Sequence, residues 1–171
     1  YSNKCTITRR GGKAFHLFMD KESTIEVRSV NVKGLRHWKK RSSIKRYLNA
    51  DVVCLQETHW DNRRESDKWI KALGFNEAIY TTYSRAARGA AVLIKNANVL
   101  EHYTDRNGRF AIAVIEKDNV KFCIGSFYGQ NIVNNGNNDE YIMSIEDMIN
   151  KINNMKQRHE NLLVVIGGDF N

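Results

Sequence analysis

No proline occurs anywhere in the chain, so none of its turns can draw on the fixed φ of that residue. Gly and Asn supply the punctuation instead, as in RNGR at 106–109 and NNGNND at 134–139. Cysteine is scarce: Cys5, Cys54 and Cys123 form no CxxC or other metal-type spacing, which excludes a zinc module and a disulfide framework. Cys54 and Cys123 lie inside apolar runs, where a free thiol packs as a small hydrophobe, so the chain reads as one from a reducing compartment. No stretch of about 18 apolar residues is present, which excludes a membrane-spanning helix. The first residues, YSNKCTITRRGGK, lack the apolar core of a signal peptide. Acidic residues are in deficit, 19 against 27 Lys and Arg, giving a net charge of +8 and a pI near 9.5. That balance favours a polyanionic partner, nucleic acid first and an anionic membrane surface second. A basic protein without such a partner is the plain alternative.

What is present is enough for one domain. The chain has 171 residues, 42% of them hydrophobic, which supports a single sizeable core and not two. Residues 1–23 are polar and irregular apart from AFHLFM, and read as an extension or linker remnant. From residue 24 the pattern sharpens. TIEVRSVNV alternates as a strand, and RSSIKRYLNA (41–50) sets Ile44, Tyr47 and Leu48 on one helical face with a serine available as cap. DVVCLQE is a continuously apolar, hence buried, strand. RESDKWIKALG is a helix burying Trp69, Ile70 and Leu73, with Gly74 as its stop.

Five strands follow: FNEAIYTTY, GAAVLIKN, NVLEHYTD, RFAIAVIEK and VKFCIGSFYG, the last two joined as a hairpin at KDN. The segment 139–160 is the longest helix, with Tyr141, Ile142, Ile145, Met148, Ile149, Ile152 and Met155 as its apolar stripe. Asn137 and Glu140 have the spacing of a capping box. NLLVVIGGD closes with another buried strand. Strands interleaved with helices in this order predict an α/β layered fold with a mixed, mostly antiparallel sheet.

Ligands collect at strand ends in such sheets. Four strand ends carry polar side chains: Asn31; Gln56 with Glu57; Tyr128 with Asn131; and Asp169 with Asn171. Each alone is ordinary, since a strand-end acid is usually a cap and a strand-end Asn a turn former. Together they form an oxygen-rich set of the kind that a hard divalent ion requires.

The motifs SVNVKGL, DVVCLQETH, RGAAVLI, GRFAIAVIE, IGSFYGQN and VVIGGDFN resemble, in order and rough spacing, those of the endonuclease/exonuclease/phosphatase (DNase I-like) superfamily. The similarity runs over residues 24–171 and is greatest to the apurinic-type endonuclease domain of LINE-type retrotransposons. It implies an N-terminal lobe of a four-layer α/β sandwich, a mixed sheet with helices on one outer face. The implied activity is metal-dependent hydrolysis of DNA phosphodiesters, with Mg²⁺ or Mn²⁺ as cofactor, DNA as partner, a reverse transcriptase domain downstream in the parent polypeptide and an intracellular, nuclear location. The resemblance implies roles by position: Glu57 and Asn31 at the metal; Asp169 orienting or deprotonating the attacking water; Asn171 and Tyr128 on the scissile phosphate; Asn131 and His59 lining the site or touching DNA.

Three departures stand against the pattern. Lys33 occupies a position where Asp or Asn is usual, YGQN replaces YAPN, and the late Ser-Asp-His motif has no counterpart in the chain. The ending on GDFN reads as a truncation, and the fragment alone is expected to be inactive or nearly so. A non-catalytic nucleic-acid-binding remnant and a phosphoesterase acting on lipid or inositol phosphates are the competing readings. The basic groups at 36–46 and 63–64 are either solvated helix faces or phosphate contacts.

Overall fold

The computed structural model describes residues 6–9, 14–18, 24–84, 86–129 and 139–170. Its strands are β1 (Thr6–Arg9), β2 (Ala14–Phe18), β3 (Thr24–Asn31), β4 (Val52–Gln56), β5 (Glu77–Tyr80), β6 (Ala90–Ile94), β7 (Asn98–Thr104), β8 (Phe110–Lys117), β9 (Val120–Tyr128) and β10 (Leu163–Asp169). The helices are α1 (Trp38–Ile44), α2 (Arg63–Ala72) and α3 (Asp139–Arg158), and a single 3-10 turn (Lys45–Tyr47) follows α1.

The strands form two sheets, ordered β1-β2-β3-β4-β6-β5 and β10-β9-β8-β7. Pairing is antiparallel except for β3 with β4 and β9 with β10. Both parallel pairs need a long crossover, and α1 and α3 lie in those two connections. The α/β class and the mainly antiparallel pairing agree with the sequence reading. The single-sheet lobe with helices on one side does not: both sheets of a sandwich are present, and helices cover both outer faces.

Side-chain alternation explains the layering. Val52 and Cys54 of β4, Val92 and Ile94 of β6, Ala113 and Ile115 of β8 and Phe122 and Ile124 of β9 all face the space between the sheets. The intervening residues face outward. Val53, Leu55, Ala91 and Leu93 meet Ile44, Trp60, Ile70 and Phe75 beneath α1 and α2, whereas Ile112, Val114, Cys123 and Phe127 meet Met148, Ile152 and Met155 of α3. The continuously apolar runs are therefore strands buried on both faces. Burial pushes the thiols of Cys54 and Cys123 up to about 12, in keeping with their role as small hydrophobes.

Gly167 lets the two layers approach. A Cβ there would lie 2.9 Å from Cβ of Ser29 and 3.1 Å from Cβ of Cys54, inside ordinary contact distance. Gln56, a strand-end candidate, is buried in the same seam, where its Nε2 donates to Ser126 Oγ (2.9 Å) and Ser29 Oγ (3.2 Å). It ties the sheets together and does not face the candidate site.

Several local readings change. Thr6–Arg9, within the stretch read as irregular, is a strand, and so is Ala14–Phe18, the AFHLFM segment excepted from that reading; β2 extends the first sheet by antiparallel pairing to β3. Helix α1 begins at Trp38, upstream of the expected Arg41, and its cap position is His37 with no side-chain cap bond. Tyr47 is exposed, unlike Ile44 and Leu48, because the chain there has tightened into the 3-10 turn. On α3, Met148, Ile152 and Met155 are buried with Tyr141 and Ile145 packed alongside, while Ile142 and Ile149 turn outward. Asn137, the expected cap, lies outside the described residues. Asn62 caps α2 by accepting from Glu65 N, Gly74 ends it at φ +77, and Asp118–Asn119, both at positive φ, form the tight β8–β9 turn. Among the described residues, no helix is long and apolar enough to cross a membrane.

Candidate active site

Asn31 and Glu57 stand at the C-terminal ends of the parallel strands β3 and β4. Tyr128 and Asp169 stand at the C-terminal ends of the parallel strands β9 and β10, as register partners. Each sheet thus contributes one parallel pair, and the four side chains meet at the same end of the sandwich. This is where α/β sheets bind ligands, because strand direction brings backbone ends and following loops together.

Asn31 is the junction. Its Nδ2 donates to Glu57 Oε1 (2.7 Å) and to Asp169 Oδ2 (2.6 Å), and its Oδ1 accepts from Lys33 N (3.1 Å). The amide nitrogen, not the oxygen, therefore faces the carboxylates. Among the described residues no Lys or Arg is ion-paired to Glu57 or Asp169. His59 stands beside Glu57, with Nε2 3.7 Å from Oε2. Two carboxylates held together by one neutral amide carry an unbalanced negative charge, which suits a cation. No group of three or more His, Cys, Asp or Glu converges among the described residues, so a divalent metal here would rest on Glu57 and Asp169, with water and phosphate oxygens completing its shell.

The Glu57–His59 loop is clamped on both sides. Glu57 O accepts from Gly34 N (2.6 Å) and Thr58 O from Leu35 N (3.0 Å), while Thr58 N donates to Gly89 O and His59 N to Arg88 O (both 3.1 Å). Lys33, Glu57, His59 and Arg88 all adopt positive φ, between 45° and 64°. Such conformations cost of order 1 kcal/mol or more each and gather where surrounding structure over-determines them, often at functional sites. Gly34 (φ +86) is required by the same packing, since a Cβ there would lie 2.8 Å from Nδ1 of His59. The Thr58 hydroxyl is buried beneath this loop with no hydrogen-bond partner among the described residues.

The phenol of Tyr128 is held protonated, its pKa raised by burial and by the carboxylates of Glu57 and Asp169 against the opposing charge of Arg109. It is a hydrogen-bond donor at neutral pH. His59 has its pKa lowered by burial and by Lys40 and Arg36, against the pull of Glu57, so its imidazole is neutral there. Gly129 N donates to Asp169 O (2.6 Å), fastening the two strand ends together.

Behind Tyr128 lies a network that sequence reasoning missed. Arg109 is buried, with its guanidinium 5.8 Å from the Tyr128 ring centre and its carbonyl accepting from Tyr128 N (2.7 Å). Glu140 of α3 joins it to the site's loops, bonding Arg88 through both oxygens (2.6 and 3.1 Å) and standing 3.6 Å from Arg109. The one signal in sequence was a cation set directly before a buried strand, in GRFAIAV. Of the seven candidate residues, Asn31, Glu57, His59, Tyr128 and Asp169 come together; Asn131 and Asn171 lie outside the described residues.

The family model of the Endonuclease/Exonuclease/phosphatase family matches residues 29–171, and the chain belongs to that family. No curated protein sequence matches it. Solved structures share the fold. TDP2 from D. rerio, complexed with single strand DNA product, has a TM-score of 0.64 at 21% identity, over 88% of this chain and 62% of that one. TDP2 from C. elegans gives 0.61 at 17%, over 86% and 48%. The 3'-5' exonuclease NExo from Neisseria Meningitidis gives 0.61 at 17%, over 85% and 57%. The chain spans about half to three fifths of the length of these proteins.

Proposed function

We propose that this member of the endonuclease/exonuclease/phosphatase family forms part of a divalent-metal-dependent DNA endonuclease of the retrotransposon type, which hydrolyses phosphodiester bonds. The observation that carries the reading is the single amide of Asn31 joining carboxylates from two different sheets. Family membership, the basic charge and the QETH segment at 56–59 support it, as does the DNA complex of the D. rerio relative. The reverse transcriptase partner and the choice of Mg²⁺ belong to the proposal.

In this reading water attacks phosphorus in line with the departing ester oxygen, forming one P–O bond as the opposite one breaks, and the departing oxygen takes up a proton from solvent. Asp169 accepts the water's proton. Tyr128, kept protonated by its surroundings, donates to a non-bridging phosphoryl oxygen and stabilises the charge that develops there. Asn31 fixes the spacing of Glu57 and Asp169. A divalent ion held by these carboxylates would supply charge neutralisation at the phosphate. Among the described residues no histidine is paired with Asp169, and Asn31 Nδ2 is the side-chain donor that orients it.

The test is relaxation of supercoiled plasmid by the parent polypeptide, extended past Asn171, with and without Mg²⁺. Nicking should require the metal and fall at least about 100-fold in Glu57→Ala and in Asp169→Ala, and residues 1–171 alone should nick little. Robust nicking by the short chain, unchanged by either substitution, overturns the reading.

A further inference from the structure

The charge of this chain is concentrated in one place. Seven Lys and Arg and no Asp or Glu lie between residues 33 and 46, which nearly equals the net +8 of the whole molecule. The same segment exposes Trp38 to 71% at the start of α1. An indole that open is unusual for a residue able to bury so much apolar surface. Lys39 Nζ sits 5.9 Å from its ring centre, and at the far end of the segment the Arg46 guanidinium lies 4.8 Å from the ring of exposed Tyr47.

The segment is anchored. Lys40 Nζ donates to Lys33 O (2.6 Å), and Arg41 donates to Leu35 O and pairs with Glu65 of α2 (3.0 Å). Arg36, Lys39, Lys45 and Arg46 make no ion pair among the described residues and project their charge into solvent. A cleft of about 350 Å³, whose lining includes Arg36, His37, Arg41 and His59 together with Asp61 and Glu65, connects this surface to the candidate active site through His59.

We propose that residues 33–46 guide a single-stranded nucleic-acid segment out of the active site, the cleft taking the nucleotide next to the scissile phosphate, Arg36 and Lys39 contacting its phosphates and Trp38 stacking on an unpaired base. The inference rests on the phosphodiester reading of the site and adds the path and strandedness of the substrate. Charge alone would suit any polyanion. The exposed indole among cations selects a single strand, because stacking needs a base whose face is not already covered by a duplex neighbour. A bilayer would ask for an apolar face, whereas around Trp38 the neighbours are Arg36, His37, Lys39 and Lys40.

The test titrates the chain with a fluorescent deoxythymidine 12-mer in EDTA, so that binding is read without hydrolysis. Trp38→Ala should weaken binding about tenfold. The double variant Arg36→Ser, Lys39→Ser should flatten the dependence of log K on log salt by about 1.4, two phosphate contacts at about 0.7 each. Lys156→Ser, at an exposed position of α3, should bind as the native chain does. Because Trp38, Arg36 and Lys39 are exposed, all variants should melt within a few degrees of the native chain. Binding within twofold of native in Trp38→Ala overturns the proposal. So does an equal loss in the Lys156→Ser control, or Trp38-dependent binding to phosphatidylserine vesicles with the 12-mer unaffected. A chain that binds the 12-mer through Trp38 yet never nicks DNA in the longer polypeptide leaves this inference standing and removes the hydrolytic one.

Discussion

Asn31 Nδ2 lies 2.6 Å from Asp169 Oδ2, a bond that spans 138 positions of sequence and joins the two sheets at their ligand-binding end. Its second bond, to Glu57, makes the neutral amide a direct link between the two acids. Asn31→Asp would set a third carboxylate there in place of a donor. Without metal at pH 7 that variant should lose about 1–3 kcal/mol of stability. Mg²⁺ should raise its melting temperature more than that of the native chain. Thermal melts at pH 7, with Mg²⁺ or with EDTA, check this; an Asn31→Asp chain as stable as the native one in EDTA would refute the charge argument.

At the opposite end of the sandwich, Asp51 accepts from Glu26 N (2.9 Å), Lys117 Nζ (2.9 Å) and Asn96 Nδ2 (3.2 Å). Burial raises its pKa, but the bonds from Glu26, Lys117 and Asn96 outweigh it and the net shift is downward. A carboxylate depressed on folding stabilises the fold above its unfolded pKa, and that contribution disappears as pH falls through the folded value. Asp51→Asn should therefore cost about 1–2 kcal/mol at pH 7 and progressively less below about pH 4. Urea melts at pH 7 and pH 3 measure the difference. An equal cost at both values would contradict it.

The strands were legible because their alternation is strong: Ala111, Ala113 and Ile115 against Phe110, Ile112 and Val114 mark two buried faces of β8. What covered those faces was not legible. An apolar run such as VVCLQ requires cover on both sides, and that cover can equally be a helix or a second sheet, so the sandwich was read as one sheet. The convergence of Asn31, Glu57, Tyr128 and Asp169 followed from their shared place at strand ends together with the family resemblance. Arg109 was invisible for the opposite reason. A basic residue carries no sequence mark of burial, and its partner Glu140 lies 31 positions away on α3. The start of α1 was misplaced because its cap position carries His37, which makes no side-chain cap bond, while serines at 42 and 43 offered a false one.

Glu140 is the shared counter-ion of Arg88 and Arg109, and its pKa is lowered by the Arg88 hydrogen bonds first and by the charge of both guanidiniums. Removing it in Glu140→Ala leaves two guanidiniums near each other, one of them buried, at a cost of about 2 kcal/mol. Tyr128 and the Arg88 loop should lose their fixed positions, so nicking by the longer polypeptide should fall more than stability accounts for. Glu140→Asp should fail to restore the bidentate pair. Full activity in Glu140→Ala would detach the network from the site.

Gly167 sits where β10 crosses Ser29 and Cys54 of the other sheet, and a methyl group there would press on the Cβ atoms of both, which cannot swing aside. Gly167→Ala must push β10 away from β3, and overpacking of this kind costs about 1–3 kcal/mol. For a chain of this size that corresponds to a melting temperature lower by roughly 2–12 °C. The displacement is not local. Asp169 lies two residues further along the same strand, and its bond to Asn31 depends on the spacing of the sheets. Gly168→Ala, where the close neighbours are Phe127 O and the ring of Phe170, strains the second sheet and its own edge without wedging the two sheets apart. Gly167→Ala should thus lose both stability and Mg²⁺ affinity, measured by melting and by isothermal titration, whereas Gly168→Ala should lose stability with a smaller change in Mg²⁺ affinity. If Gly167→Ala binds Mg²⁺ as tightly as the native chain, the spacing of the sheets does not set the geometry of the two carboxylates.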